Sequence, residues 1–115
     1  MSGNGEFESR LHKIRERFVA SLPERIQEAE AAFAAAGRTE HEHIRDGIEA
    51  LRFFAHDLAG IAPGLGFSAL GQHGQLLEKC VVECLDHGGS LDEANAREIS
   101  RHLEAIRRIS HGEAA

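Results

Sequence analysis

The stretch Phe54-Ala55-His56-Asp57-Leu58-Ala59-Gly60-Ile61-Ala62-Pro63-Gly64-Leu65-Gly66-Phe67 decides the reading of this chain. At about 100° per residue, Ile44, Ile48, Leu51, Ala55, Leu58 and Ala62 share one side of a helix, with Phe54 and Ile61 at its edge. His56 points roughly 140° away from the centre of that stripe. One turn later on its own face stand Ala59 and Gly60, so almost no bulk follows the imidazole. Glycine within a helix costs about 0.5–1 kcal/mol relative to alanine, and a close approach by another molecule is one reason to accept it. A surface histidine beside a helix-end glycine is the plainer alternative.

The rest of the chain reads as more helices of the same kind. Phe7, Leu11, Ile14 and Phe18 make a helical period. Ser21-Leu22-Pro23-Glu24 reads as a capping box with proline in the first turn, opening a second helix through Ile26, Ala29 and Phe33 to Gly37. Thr39-Glu40-His41-Glu42 is another capping box and starts the helix that carries His56. Pro63-Gly64-Leu65-Gly66 ends that helix in a tight corner. A fourth helix spans about Phe67 to Asp86 with Leu70, Leu77, Val81 and Cys84 inward, and Gly88-Gly89 stops it. Ser90-Leu91-Asp92-Glu93 caps the fifth, which buries Ile99, Leu103 and Ile106. Short connections make consecutive helices antiparallel neighbours. The expected fold is all-α: an antiparallel four-helix bundle with an additional N-terminal helix, one domain over residues 1–115.

Composition narrows the function. The formal net charge of -6 argues against nucleic acid, because phosphate binding needs a basic face. No apolar run approaches membrane-spanning length and Met1-Ser2-Gly3-Asn4-Gly5 has no signal-peptide character, so a cytoplasmic chain without membrane insertion is expected. Cys80 and Cys84, four apart, should both face the core as structural thiols. The other histidines (His12, His73, His87, His102 and His111) read as scattered, solvated side chains without ligand pairs at one depth. No metal site is assigned on this reading. No acid–base pair or nucleophile–base set can be placed together for an enzyme with its own pocket.

With these residues in place, the chain resembles the histidine-containing phosphotransfer (HPt) domains of bacterial phosphorelays. The resemblance rests on His56, Leu58 and Gly60 as His-x-Leu-x-Gly, then Ala62, Gly66, Leu70 and the Leu77-Glu78 pair, with Leu22-Pro23-Glu24-Arg25-Ile26 upstream. It implies that His56 accepts a phosphoryl group from a receiver-domain aspartate and passes it to another receiver. Gly60 would let the partner's acidic pocket approach, and Gly66 would shape the turn. Response-regulator receivers and a hybrid histidine kinase are the implied partners. The chain would be a phosphocarrier without a nucleotide or metal site of its own, with Mg²⁺ expected on the receiver.

Many members carry lysine three residues after the histidine, where this chain has Ala59. Arg52, one turn before His56, is a candidate substitute; alternatively it pairs with Glu49 or water. Gln75 and Lys79 on the neighbouring helix are further candidates for supporting the phosphosite. Phe53 lies about 160° from the stripe centre and is read as a docking contact, or as an aromatic folded onto a neighbouring helix. The rival functions are a helical interaction module that has lost transfer activity and a His/carboxylate metal-binding bundle.

Overall fold

The computed structural model describes the backbone of residues 2–36, 41–88 and 91–112, and side chains within those ranges from residue 5 and, after the first connection, from residue 44. Four α-helices carry the chain: α1 (Ser2–Ala36), α2 (His41–Ile61), α3 (Ser68–Asp86) and α4 (Glu93–Gly112), with a single 3-10 turn over Pro63–Leu65 between α2 and α3. No described residue is in a strand. No described helix is long and apolar enough to cross a membrane.

The separate N-terminal helix does not exist. Ser2–Ala36 is one helix with Pro23 inside it. Proline in a helix interior removes one backbone donor and costs roughly 3 kcal/mol, which is why the sequence suggested a start there. Burial outweighs it: Phe18, Leu22, Ile26 and Ala29 run unbroken down one face into the core, and a break at Pro23 would take Phe18 out of line. Ser21 does not cap; its hydroxyl donates to the Phe18 carbonyl oxygen at 2.7 Å, within the turn that the proline disturbs. At about 1.5 Å per residue a helix of this length outruns its neighbours, consistent with a longest dimension of 57 Å against 23 and 20 Å for the others. Of the period Phe7, Leu11, Ile14 and Phe18, only Phe18 is buried, while Phe7 and Ile14 are exposed.

The helices pack as antiparallel neighbours, α1 on α2, α2 on α3 and α3 on α4, and α4 returns to α1. Pairings along the seams show the direction. Arg25 reaches Asp57, so the middle of α1 faces the later part of α2. Gly47, near the start of α2, lies against Ala32 and Ala36 at the end of α1. Between α1 and α4, Arg107 Nε donates to Glu30 Oε2 at 2.9 Å. The core is aliphatic: Leu22, Ile26, Ile48, Leu51, Leu58, Leu70, Leu77, Val81, Ile99 and Ile106 are all fully buried. Burying each such side chain contributes about 1.5–3 kcal/mol, so this stripe holds the fold.

The helix ends follow local chemistry where they are described. Asp92 caps α4 by accepting from the Asn95 backbone N–H at 2.8 Å. The capping box at Thr39-Glu40-His41-Glu42 and the stops at Gly37 and Gly89 lie outside the residues whose structure or side chains are described. The corner after α2 is closed by Gly66, whose φ of 91° is left-handed and whose N–H donates to the Pro63 carbonyl oxygen. Two α1 residues brace this corner: Arg15 Nε donates to the Leu65 carbonyl oxygen at 2.8 Å, and Phe18 stacks on Phe67 with ring centroids 5.6 Å apart.

Candidate functional site

His56 sits on the outer face of α2 with 68% of its side chain accessible. The burial of Ile48, Leu51, Ala55, Leu58 and Ala62 on the opposite face fixes this exposure. Its ring is nevertheless held. Nδ1 lies 2.7 Å from Glu78 Oε2, across the α2–α3 seam. An ionised carboxylate only accepts hydrogen bonds, so Nδ1 carries the proton and donates. In the neutral ring this assignment places the lone pair on Nε2, directed away from Glu78. Glu78 is 27% exposed, more enclosed than the imidazole it orients.

The seam is close because of Gly74. A Cβ built there would stand 2.9 Å from the Ala59 backbone nitrogen and 3.2 Å from the Ala55 carbonyl oxygen. The backbones of α2 and α3 therefore touch beneath His56, and Glu78, one turn further along α3, comes within reach of the ring. Glu78 is visible in the sequence only as half of the Leu77-Glu78 pair, and nothing in the period of either helix says that it meets His56. Gly74 could have been found as a glycine in a helix that otherwise gains nothing from one.

The expected supporting residues divide. Gly60 is exposed, and a Cβ there would meet nothing within 4 Å, so space is clear beside His56. Ala59 is half-buried on the seam. Gly66 is at the corner, where its left-handed backbone is required. Phe53 is 59% exposed, as a docking aromatic must be. Arg52 is not directed at His56: its Nε donates to Glu49 Oε2 at 3.1 Å and its guanidinium lies 4.8 Å from the Phe53 ring centroid. Gln75 and Lys79 lie exposed on α3. Among the described residues, Glu78 is the hydrogen-bond partner of the His56 ring, and neither Gln75 nor Lys79 shares that role.

A second group of polar side chains occupies the α3–α4 seam, against expectation. His73 and His102 are not scattered; their rings are 5.9 Å apart and tilted by 51°. Cys84 is fully buried, and Cys80 is half-buried, packed against the edge of the core, where it also faces Glu98 and His102. Burial and the neighbouring His73 hold the His102 imidazolium below the ordinary histidine range, and burial followed by Glu98 pushes the Cys80 thiol up. Antiparallel register brings these four residues together, which neither helix's own period reveals.

Fold and site define a class: an all-helical module that presents an oriented, exposed imidazole, His56, on a cleared face. The Hpt domain family model matches residues 13–109, and the chain belongs to the Hpt domain family. Hpt domains serve phosphotransfer in two-component signalling, as phosphocarrier modules rather than enzymes, and they interact with receiver domains and kinases. No curated protein and no solved structure shows significant similarity to this chain.

Proposed function

We propose that this chain is an HPt phosphorelay intermediate whose phosphoryl acceptor is His56. The observation that carries the reading is the Nδ1–Glu78 hydrogen bond on an otherwise exposed ring. The Nε2 lone pair attacks the phosphorus of a receiver's aspartyl phosphate. As the Nε2–P bond forms, the P–O bond to the aspartate breaks and the carboxylate leaves with that electron pair. The ring becomes an imidazolium still protonated at Nδ1, and the Glu78 carboxylate stabilises the new positive charge. In the onward step, the carboxylate of a second receiver attacks the same phosphorus and the imidazole leaves neutral.

The pocket for this chemistry is completed by the partner. Gly60 and Ala59 leave room for the receiver's acidic pocket, and Phe53 supplies an exposed aromatic contact beside it. Mg²⁺ and the donors that stabilise the transferring phosphoryl group belong to the receiver. Positive charge on this side would come from Arg52, by exchanging Glu49 for the phosphoryl oxygens, and from Lys79, with Gln75 as a polar neighbour. A response-regulator receiver and a hybrid histidine kinase are the partners in this reading, and its setting is the cytoplasm.

Transfer from a phosphorylated receiver to wild type and to His56→Gln tests the reading. Acid-labile, alkali-stable label in wild type and none in the variant is the expected result. Binding of receivers without any labelling of wild type would instead identify an interaction module that has lost transfer.

A further inference from the structure

The α3–α4 seam carries a thiol, a carboxylate and two imidazoles where an antiparallel bundle needs only apolar side chains. Polar groups at a half-buried seam are costly unless something satisfies them. Cys80 Sγ, a Glu98 carboxylate oxygen and a His102 ring nitrogen all lie within 4.8 Å of one another. His102 is only 13% exposed, and its nearest carboxylate oxygen, Glu98 Oε2, is 3.8 Å from Nε2, too far for a hydrogen bond. The other carboxylate oxygen of Glu98 faces Arg101 Nη1 at 3.2 Å. Beside this group, His73 Nδ1 is buried without a hydrogen-bond partner. Cys80, Glu98 and His102 thus converge without a hydrogen bond between His102 and Glu98, beside a buried His73 nitrogen that has no partner.

We propose that Cys80, Glu98 and His102 form a zinc site on the α3–α4 seam. Thiolate, imidazole and carboxylate together suit Zn²⁺, at bond lengths of roughly 2.0–2.3 Å. Tetrahedral donors at those lengths stand about 3.3–3.8 Å apart, so rotamer changes closing the cluster by about 1 Å seat the ion. Two ligands come from one α4 turn, spaced four residues apart, and the third from α3, so the ion ties the two helices together. Cys80 binds as thiolate and its proton passes to solvent. The thiolate and the carboxylate then neutralise the dication, and water takes the fourth position.

This site is separate from the phosphosite. Cys80 and Glu78 lie about 160° apart around α3, so one helix presents the carboxylate to α2 and the thiol to α4. The two readings therefore fail independently.

Cobalt(II) titration of the full chain, followed by displacement with Zn²⁺, tests the site. A His56→Gln background removes the exposed His56–Glu78 pair as a competing ligand set. We expect one Co²⁺ per chain with a thiolate-to-metal charge-transfer band, displaced by one Zn²⁺. In that background, Cys80→Ser should abolish the band. His102→Ala should weaken binding by at least the roughly 10–100-fold typical of losing even an outer-shell partner. Zinc should raise the thermal midpoint of the parent, raise that of His102→Ala less and leave Cys80→Ser unmoved, while metal-free midpoints near the parent's separate lost ligation from lost folding. Binding without the charge-transfer band, binding unchanged in both variants, or no saturable binding would each overturn the proposal.

Discussion

Two histidines on this bundle show how surroundings assign a role to one side chain. His56 projects from α2 into solvent and is held by a single carboxylate, with small residues after it on its face. His102 lies against α3, mostly covered, with His73, Cys80 and Glu98 around it and no comparably close bond. An exposed ring with one nitrogen engaged keeps the other free to attack an incoming electrophile. An enclosed ring among soft and anionic donors can only be reached by something as small as an ion. On the two readings proposed above, accessibility and the number of converging donors separate a carrier from a ligand, although the imidazole is the same.

The largest change to this comparison should come from Gly74→Val. Its Cβ would stand 2.9 Å from a backbone nitrogen of α2, which cannot rotate away. Overpacking of this kind typically costs about 1–3 kcal/mol, more than the helix-propensity gain of replacing glycine. The thermal midpoint should fall, and the His56–Glu78 hydrogen bond should be lost with it. Unchanged stability together with an unchanged His56 ring resonance would show that the close approach at Gly74 does not set the seam.

A smaller effect is expected from Glu78→Gln. Glutamine keeps the size and can still accept from Nδ1, but it cannot neutralise an imidazolium. In a buried Ser-His-Asp triad the corresponding Asp→Asn change costs about 10⁴-fold, because the amide no longer holds the histidine in the right tautomer. His56 is mostly solvated, so screening reduces the effect to roughly tenfold in the rate of phosphoryl acceptance, about 1.4 kcal/mol. Receiver affinity should stay the same. A variant that transfers at the wild-type rate would reduce Glu78 to an idle neighbour.

The smallest effect concerns neither histidine and gives a baseline. Arg107 holds the Glu30 carboxyl below its ordinary value of 4.5 by a direct hydrogen bond and by its charge. The native state therefore binds the Glu30 proton more weakly than the unfolded chain does. This contribution to stability is complete above that ordinary value and is lost as pH falls through the lowered one. Acid titration of thermal stability should show a shallower decline below that value in Glu30→Gln than in wild type, with phosphoryl acceptance at neutral pH unaltered. An identical decline would show that the α1–α4 pair contributes nothing.

Much of this architecture is legible in the sequence because burial writes its period directly. Ile48, Leu51, Ala55, Leu58 and Ala62 in α2, the inward residues of α3, and Ile99, Leu103 and Ile106 in α4 are all buried as their spacing implies. The exposure of His56 and Phe53 follows from the same arithmetic. At Pro23 the local signal fails. Ser21, Pro23 and Glu24 fit a helix start, yet the core on both sides of the proline keeps α1 continuous. The exposure of Phe7 and Ile14 also escapes the sequence, since an apolar period looks the same with or without a partner surface.

Relations between helices are what one chain's periodicity does not encode. Glu78 meets His56, and Cys80 meets Glu98 and His102, through the register and separation of paired helices. Both depend on close approach, which at the α2–α3 seam traces to Gly74. Arg52 illustrates the remaining ambiguity. Its helix position puts it one turn from His56, and its side chain is long enough to choose Glu49 instead.

The most direct test is to find which atom carries the phosphoryl group. Nitrogen-resolved NMR of the chain phosphorylated by a receiver should show phosphorus on His56 Nε2, with the proton retained on Nδ1 beside Glu78. Phosphorus on Nδ1, or on any other histidine, would contradict the account.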